Sequence, residues 1–309
     1  MFWLALLAVT WQPADPRALE PVYRQALAER ETRLGADHPK VARAASDLGM
    51  FRKANGDAAG AEAPLRRALA MDRKAFGEDH AVAAADRENL AGALEALGRV
   101  EEALELYRQA GTAQSLARVA AHLEARGDRT VAAGLYRKAV ALEESASGKD
   151  HPRVAVRLND LALAIEGTEA EALLRRALAT QEKALGPDHP ETAVTLNNLA
   201  NTLLAAGKVA AAEPLQRRAL GILESKLGPE HPRVATACSN LADILRAKQD
   251  VAGARRLYRR ALAIDEAVYG PEHPEVAGDL ENLAAVTEGA EAKRLRGRAE
   301  AIYRRHGRR

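Results

Sequence analysis

The apolar residues recur at the spacing of one helix face, three or four positions apart, over most of the chain. In one clear stretch the pattern runs from Pro190 to Leu203, is broken at Gly207, and resumes from Ala212 to Leu223. Proline is tolerated at the first position of a helix, and glycine is common just beyond a helix C-terminus. The pattern therefore predicts two helices joined by a tight turn.

This two-helix pattern recurs, and a short string that contains a histidine marks most of its copies. The histidines are His38, His80, His151, His189, His231 and His273. Their successive spacings are 42, 71, 38, 42 and 42 residues, and the interval of 71 has room for two copies. A period near forty is typical of stacked helix pairs. The sequence predicts seven pairs from Pro39 onward, preceded by one helix near residues 16–34. In the pairs around Gly167 and Gly289, about one turn of the first helix is missing.

Small side chains occupy one place in the first helix of each pair and one place in the second. The first set is Gly49, Ala91, Ala120, Ala162, Ala200, Ala242 and Ala284, and the second is Ala68, Ala110, Ala139, Ala177, Ala219 and Ala261. A small residue at such a place lets neighbouring helices approach closely, and adjacent leucines fill the gaps. One pair cannot bury its apolar face alone, so the pairs must stack.

Composition and charge exclude several classes of protein. Aromatic residues make up 4% of the chain, and 45 Lys and Arg face 43 Asp and Glu, a net charge of +2, which does not favour a nucleic-acid partner. No run reaches the ~20 apolar residues that a membrane span requires. Cys238 is the single cysteine, which excludes an internal disulfide, and we expect it in the core. Motifs of hydrolases, phosphate loops and zinc enzymes are absent, so we expect neither catalysis nor a cofactor.

The histidine strings do not predict a metal site. Zinc requires three or four ligands that converge on one ion, whereas stacking separates one histidine per repeat by ~20 Å. A residue before proline is held extended, and Asp or His side chains can cap the helix that follows. We therefore expect the histidines to shape turns.

Several blocks carry a resemblance to a known family. They are Leu-Asn-Asn-Leu-Ala at 196–200, Gly-Lys at 207–208, Glu-Pro-Leu at 213–215, Arg-Arg-Ala-Leu at 217–220 and Leu-Gly-Pro-Glu-His-Pro at 227–232. Together they resemble the tetratricopeptide repeat, in the long variety found in kinesin light chains and bacterial scaffolding proteins. The resemblance implies an all-α, right-handed superhelical solenoid of about seven to eight helical hairpins over residues 15–309. It also implies a non-catalytic scaffold that binds a protein or peptide segment in a concave groove.

A ladder of polar residues follows the first helices, which line the concave face in this family. The candidate groove residues are Asp47, Asn89, Asp160, Asn198, Asn201, Asn240, Asp243 and Asn282. An amide can both donate and accept, and the resemblance implies that such asparagines hold the backbone of a bound peptide. The alternative is that the ladder only bridges adjacent helices. The repeat from residue 112 to 148 has Arg118 at the ladder position, which puts groove contacts there in doubt.

Arginine pairs on the second helices leave a different function open. They are Arg66-Arg67, Arg175-Arg176, Arg217-Arg218 and Arg259-Arg260, and they should point outward. Such a stripe could bind phosphates. However, glutamates lie about one turn away, which favours ion pairs along the helix. The alternatives to the scaffold are a regulatory or sensor module of an enzyme complex and an arginine-driven nucleic-acid binder.

The N-terminal segment, residues 1–14, has two interpretations. Residues 1–11 are apolar except for Thr10. That length suits an export signal or apolar anchor, although a positive first region and a clear cleavage site are missing. Alternatively, the segment is a degenerate helix that pairs with residues 16–34, with Trp3 where the family favours tryptophan. The first interpretation implies an exported or periplasmic protein, and the second a cytoplasmic one.

Overall fold

The structure is a computed structural model that describes residues 19–307, and every regular element in that range is helical. The two interpretations of residues 1–11 lie outside the described residues. The helices are α1 Glu20–Leu34, α2 Pro39–Ala54, α3 Ala58–Phe76, α4 Ala81–Ala96, α5 Val100–Ala110, α6 Ala113–Ala125, α7 Arg129–Ser147, α8 Pro152–Ala164, α9 Thr168–Leu185, α10 Pro190–Ala205, α11 Val209–Leu227, α12 Pro232–Ala247, α13 Val251–Tyr269, α14 Pro274–Ala285 and α15 Gly289–Arg305. The order of one helix followed by fourteen that alternate as first and second helices, and the all-α class, are confirmed.

The helices pack as two compact units. Unit 1 ends at Asp128 and holds α1 to α6, and unit 2 begins at Arg129 and holds α7 to α15. Within unit 1, α2 packs against α4, and within unit 2, α10 packs against both α8 and α12. Among the described helices, no two second helices make comparable contact. The first helices of each unit therefore share one face, here called the first-helix face, and the second helices form the outer face.

The small residues lie where the packing argument requires them. All seven small residues of the first helices are buried, and Ala200 is 0% exposed. The expectation for the second helices is wrong at Ala110, which is only partly buried. Here α5 has 11 residues, whereas α3 has 19, and Gly111 ends it in the left-handed conformation with φ 64°. Ala110 is thus the last residue of its helix instead of lying at its centre.

The turns confirm two expectations from the sequence. The first helices α8 and α14 have 13 and 12 residues, whereas α10 has 16, so the missing turn falls where it was predicted. Each histidine of the recurring string caps the helix that follows. His189 Nδ1 accepts a hydrogen bond of 3.2 Å from the backbone N–H of Glu191, and His231 accepts one of 3.1 Å from Arg233. The described residues contain no cluster of ligands that could hold a metal ion.

Candidate functional site

The amide of Asn198 lies on the first-helix face of unit 2 in an orientation that its neighbours fix. Its Nδ2 donates to Asn159 Oδ1 at 3.0 Å. Asn159 must present that oxygen, because its own Nδ2 donates to the carbonyl of Ala155, which can only accept. The same Nδ2 donates to Thr195, whose hydroxyl donates to Gln181 on α9. Asn198 Oδ1 accepts no hydrogen bond from the described residues and is free for a ligand.

Asn240, one repeat further on, is oriented in the same way by a different set of residues. Its Nδ2 donates to Asn197 Oδ1 at 2.6 Å. That oxygen also accepts from Gln216 Nε2, which in turn donates to the carbonyl of Ala237. Both chains of hydrogen bonds run from the first-helix face into the core. The helix-bridging alternative is therefore true of Asn198 and Asn240, and it leaves the carbonyl oxygen of each amide unused.

The acidic members of the ladder are held by arginines on their own helices. Asp47 accepts from Arg43 at 3.0 Å, and Asp160 accepts from an arginine three residues before it at 2.7 Å. Asp243 accepts from Arg246 at 3.0 Å and from the hydroxyl of Tyr258 at 2.6 Å. These carboxylates are less available to a peptide than the amides are.

The remaining ladder residues are the least constrained. Asn89, in unit 1, donates weakly to Ser46 Oγ at 3.5 Å and so bridges α4 to α2. Asn201 and Asn282 are exposed, and their side chains make no hydrogen bond with the described residues. The structure therefore places Asn201 and Asn282 on the first-helix face of unit 2 without joining them to the bridged amides.

One position of the second helices reaches this face and was missed from the sequence. It is the eighth residue of α5, α11 and α13, namely Tyr107, Gln216 and Tyr258. The hydroxyl of Tyr107 donates to Glu95 at 3.2 Å, and that of Tyr258 donates to Asp243. Burial, with an adjacent carboxylate, raises the pKa of Tyr107 to about 12, so the phenol stays a donor. The sequence did contain a signal for these residues, because a large polar side chain recurs at the eighth position of the second helices.

A recess of about 230 Å³ lies beside Tyr107 in unit 1, lined also by Glu95, Arg118 and His122. The ammonium of Lys53 lies over Gly92 at its edge. Burial lowers the pKa of Lys53, as does the nearby charge of Arg118. Lys53 and Arg118 form no ion pair with the described residues, and the Nε2 of His122 is buried without a partner. The recess thus combines two unpaired cations with one exposed carboxylate.

The arginine pairs of the outer face are engaged within the protein. In three pairs the first member bonds a glutamate on its own helix, as Arg217 does with Glu213 at 2.8 Å, whereas Arg259 bonds Glu291 on α15 at 3.1 Å. The second member reaches the previous repeat: Arg218 bonds Glu182 at 2.6 Å and the carbonyl of Pro187 at 2.8 Å. The same inter-repeat contact is made by Arg67, Arg176, Arg260 and Arg298. These guanidinium groups act as clamps between repeats, which argues against a free phosphate-binding stripe.

Cys238 is buried in the core of unit 2, between α11 and α13. Burial raises the pKa of its thiol to about 11, so the thiolate is scarce at neutral pH. The expectation of a core residue is confirmed.

The fold and this face define an all-α repeat protein built from stacked helix pairs. Residues 40–110, 166–225 and 198–250 match one sequence profile described as tetratricopeptide repeat, and this profile alone covers more than half of the chain. A second profile with that description matches residues 112–153 and 234–275. The chain belongs to the tetratricopeptide repeat family. A search of curated protein sequences gave no match.

Two solved structures, RapI and PilW, have the same fold, and a third structure is similar in sequence. The apo form of RapI is 14% identical, with a TM-score of 0.64, over 86% of this chain and 98% of that one. PilW, a type IV pilus biogenesis factor, is 21% identical, with a TM-score of 0.56, over 78% of this chain and 98% of that one. The nearly identical TPR-like repeats of a putative kinesin light chain from Podosopora anserina are 25% identical, with a TM-score of 0.42, over 75% and 98%.

Membership of this family indicates the general kind of function but does not identify a partner. Tetratricopeptide repeats generally mediate protein–protein interactions and are typically non-catalytic, so the fold indicates protein partners. No helix in residues 19–307 is long and apolar enough to cross a membrane.

Proposed function

We propose that this chain is a non-catalytic scaffold that binds a segment of a partner protein along its first-helix face. The observation that carries the proposal is the shared orientation of Asn198 and Asn240. The N–H group of each amide donates a hydrogen bond to a neighbouring helix, and the carbonyl oxygen of the amide accepts none from the described residues. Two acceptors fixed in equivalent places on adjacent repeats suit the N–H groups of a peptide backbone.

The other ladder residues and the recess extend this surface within each unit. In unit 2, Asn201 and Asn282 offer complete amides. In unit 1, the recess beside Tyr107 would receive an anionic group of the bound segment, since two cations, Lys53 and Arg118, share one carboxylate there, that of Glu95. A segment held through polar contacts and shape along stacked repeats is a recurrent mode of peptide recognition.

The proposal is tested by affinity, with matched variants on the two faces. The full chain is used to select binders from displayed random peptides, and the Kd of a selected peptide is measured by calorimetry. Asn201→Ala with Asn282→Ala should weaken binding about tenfold, because two hydrogen bonds of ~1 kcal/mol or less are lost. Neither side chain has a hydrogen-bond partner within residues 19–307, so the melting temperature should stay unchanged.

The control is Arg175→Ala with Arg217→Ala on the outer face. Both side chains are more than half exposed and bond glutamates on their own helices, so binding should be retained. If the outer pair weakens binding and the asparagine pair does not, the proposal is wrong and the arginine surface is the binding site.

A further inference from the structure

Two pairs of aspartates lie at equivalent joints between repeats; three of the four residues are buried, and Asp265 is partly buried. In unit 1, Asp72 on α3 faces Asp86 on α4, and each is 4% exposed. In unit 2, Asp265 on α13 faces Asp279 on α14, and Asp279 is 7% exposed. The partners of each pair are 14 residues apart in the sequence, so both pairs occupy the same place in the repeat. That place lies between the second helix of one repeat and the first helix of the next.

The carboxyl groups of each pair lie within hydrogen-bond reach of each other. Two carboxyl groups can share a hydrogen bond only if one of them holds a proton. One hydroxyl also donates to each pair, from Ser46 to Asp86 at 3.2 Å and from Ser239 to Asp279 at 3.4 Å. Oxygens of all four aspartates are buried and find no other donor in the described residues. A proton shared between the two carboxyl groups gives these oxygens a hydrogen bond. If both groups were ionised, the same oxygens would be buried without a donor.

Few charged groups surround the pairs. In unit 1, Arg43 acts on Asp86 from α2 and His80 acts on Asp72 from the start of α4. In unit 2, Glu275 acts on both members of its pair, and His273 acts on Asp265. Arg43 already bonds Asp47 and is largely exposed. Arg87, beside Asp86 on α4, is directed to Glu78. Among the residues that the structure describes, no cation therefore forms a direct ion pair with either carboxyl pair.

We propose that each aspartate pair is a proton-dependent lock: a shared proton holds the joint between two repeats closed, and its loss loosens that joint. The inference does not depend on the proposed function, because it concerns the joint itself. In unit 1 the lock also touches the first-helix face, since Ser46 both donates to Asp86 and accepts from Asn89.

The sign of the pH effect follows from the direction of the shifts. Burial and the neighbouring carboxyl group raise the pKa of Asp86 and of Asp279 to about 7, from an ordinary value of 3.8. Between these values the closed joint binds a proton that the open joint releases. Stability from the lock is therefore complete below pH ~4 and is lost as the pH rises toward ~7. The glutamates of the outer face behave oppositely, because arginine and lysine lower the pKa of Glu171 and Glu213.

The protein contains an internal control at the same place in the repeat. At the joint of α9 and α10 the two positions are Gln181 and Thr195, which hydrogen-bond each other at 2.6 Å and do not titrate. At the joint of α11 and α12 they are Leu223 and Ala237. Hydrogen exchange can therefore compare titrating and non-titrating joints within one chain.

The test is hydrogen exchange on the full chain from pH 5 to pH 8, read as protection factors corrected for the pH dependence of free amides. Protection around residues 72–86 and 265–279 should fall by at least about tenfold across this range, because opening releases a proton. Protection around residues 181–195 should change by less than about twofold. Equal behaviour of all three joints would overturn the proposal, and this comparison needs no variant.

Variants then assign the effect to the carboxyl pair. Asp86→Asn keeps the shape of the protonated acid and a donor toward Asp72, so it should abolish the pH dependence at residues 72–86 alone. Asp279→Asn should do the same at residues 265–279. The matched control, Asp188→Asn, removes an exposed carboxylate and should leave both pH profiles unchanged. A persistent fall in protection in Asp86→Asn would contradict the assignment.

Discussion

The amide of Asn198 shows how one side chain can serve the fold and still face a ligand. Its N–H group is fixed by Asn159, whose own orientation is dictated by a backbone carbonyl. The carbonyl of Ala155 can only accept, so Asn159 must direct its N–H group toward it and its oxygen toward Asn198. If the amide of Asn198 rotated, the buried oxygen of Asn159 would lose its donor. The orientation of the free oxygen is thus set before any partner arrives.

Asn198 donates a hydrogen bond to the preceding repeat, whereas the side chain of Asn282 has no partner among the described residues. We therefore expect the two residues to affect stability differently. Asn198→Ala should lower the free energy of unfolding by ~1 kcal/mol, because it removes a hydrogen bond and leaves Asn159 Oδ1 unpaired. Asn282→Ala should leave it unchanged, because Asn282 is exposed and has no partner among the described residues. Denaturant unfolding of the two variants measures both values. Equal losses would show that the two amides have the same structural role.

At the scale of elements, repeats are joined by small residues in the interior and by arginine clamps outside. The pattern of small residues was visible in the sequence because it recurs with the period of the repeat. The clamps were not, because Arg218 and Glu182 lie 36 residues apart on successive second helices. The sequence suggested only pairing within one helix. Arg218 and Glu182 are each about one third exposed, so each clamp contributes at most ~1 kcal/mol.

The turns inside the helix pairs give a prediction at this scale. Gly56, Gly98, Gly127 and Gly207 occupy them with positive φ, whereas Gln249 holds the same place with φ 66°. A residue with a Cβ is strained in this conformation. Gln249→Gly should therefore stabilise the protein, by up to ~1 kcal/mol after the greater flexibility of unfolded glycine is subtracted.

The reciprocal change is the control. A Cβ at Gly207 would meet no atom within 4 Å, so Gly207→Gln tests conformation without a clash. It should destabilise the protein by a similar amount. Thermal unfolding measures the melting temperature of both variants. A higher melting temperature for Gly207→Gln would contradict the explanation by backbone strain.

At the scale of the whole molecule, the sequence allowed the number and order of the helices and the helices that carry the ladder to be predicted. It could not show which ladder residues are already engaged, because Asn198 and Asn282 occupy the same place in their repeats. The difference arises from what the preceding repeat supplies: Asn159 lies next to Asn198 and bonds it, whereas Asn282 receives no such bond. Pairings between residues about forty positions apart depend on the stacking of repeats, which a periodic pattern alone does not specify.

The central claim is that the first-helix face binds a partner segment, and a binding footprint tests it most directly. Hydrogen exchange of the full chain is measured with and without a saturating selected peptide. The account predicts added protection in α10 and α12, around Asn198 and Asn240, with little change in the outer helices α11 and α13. Added protection confined to the outer helices, around the arginine clamps, would contradict it.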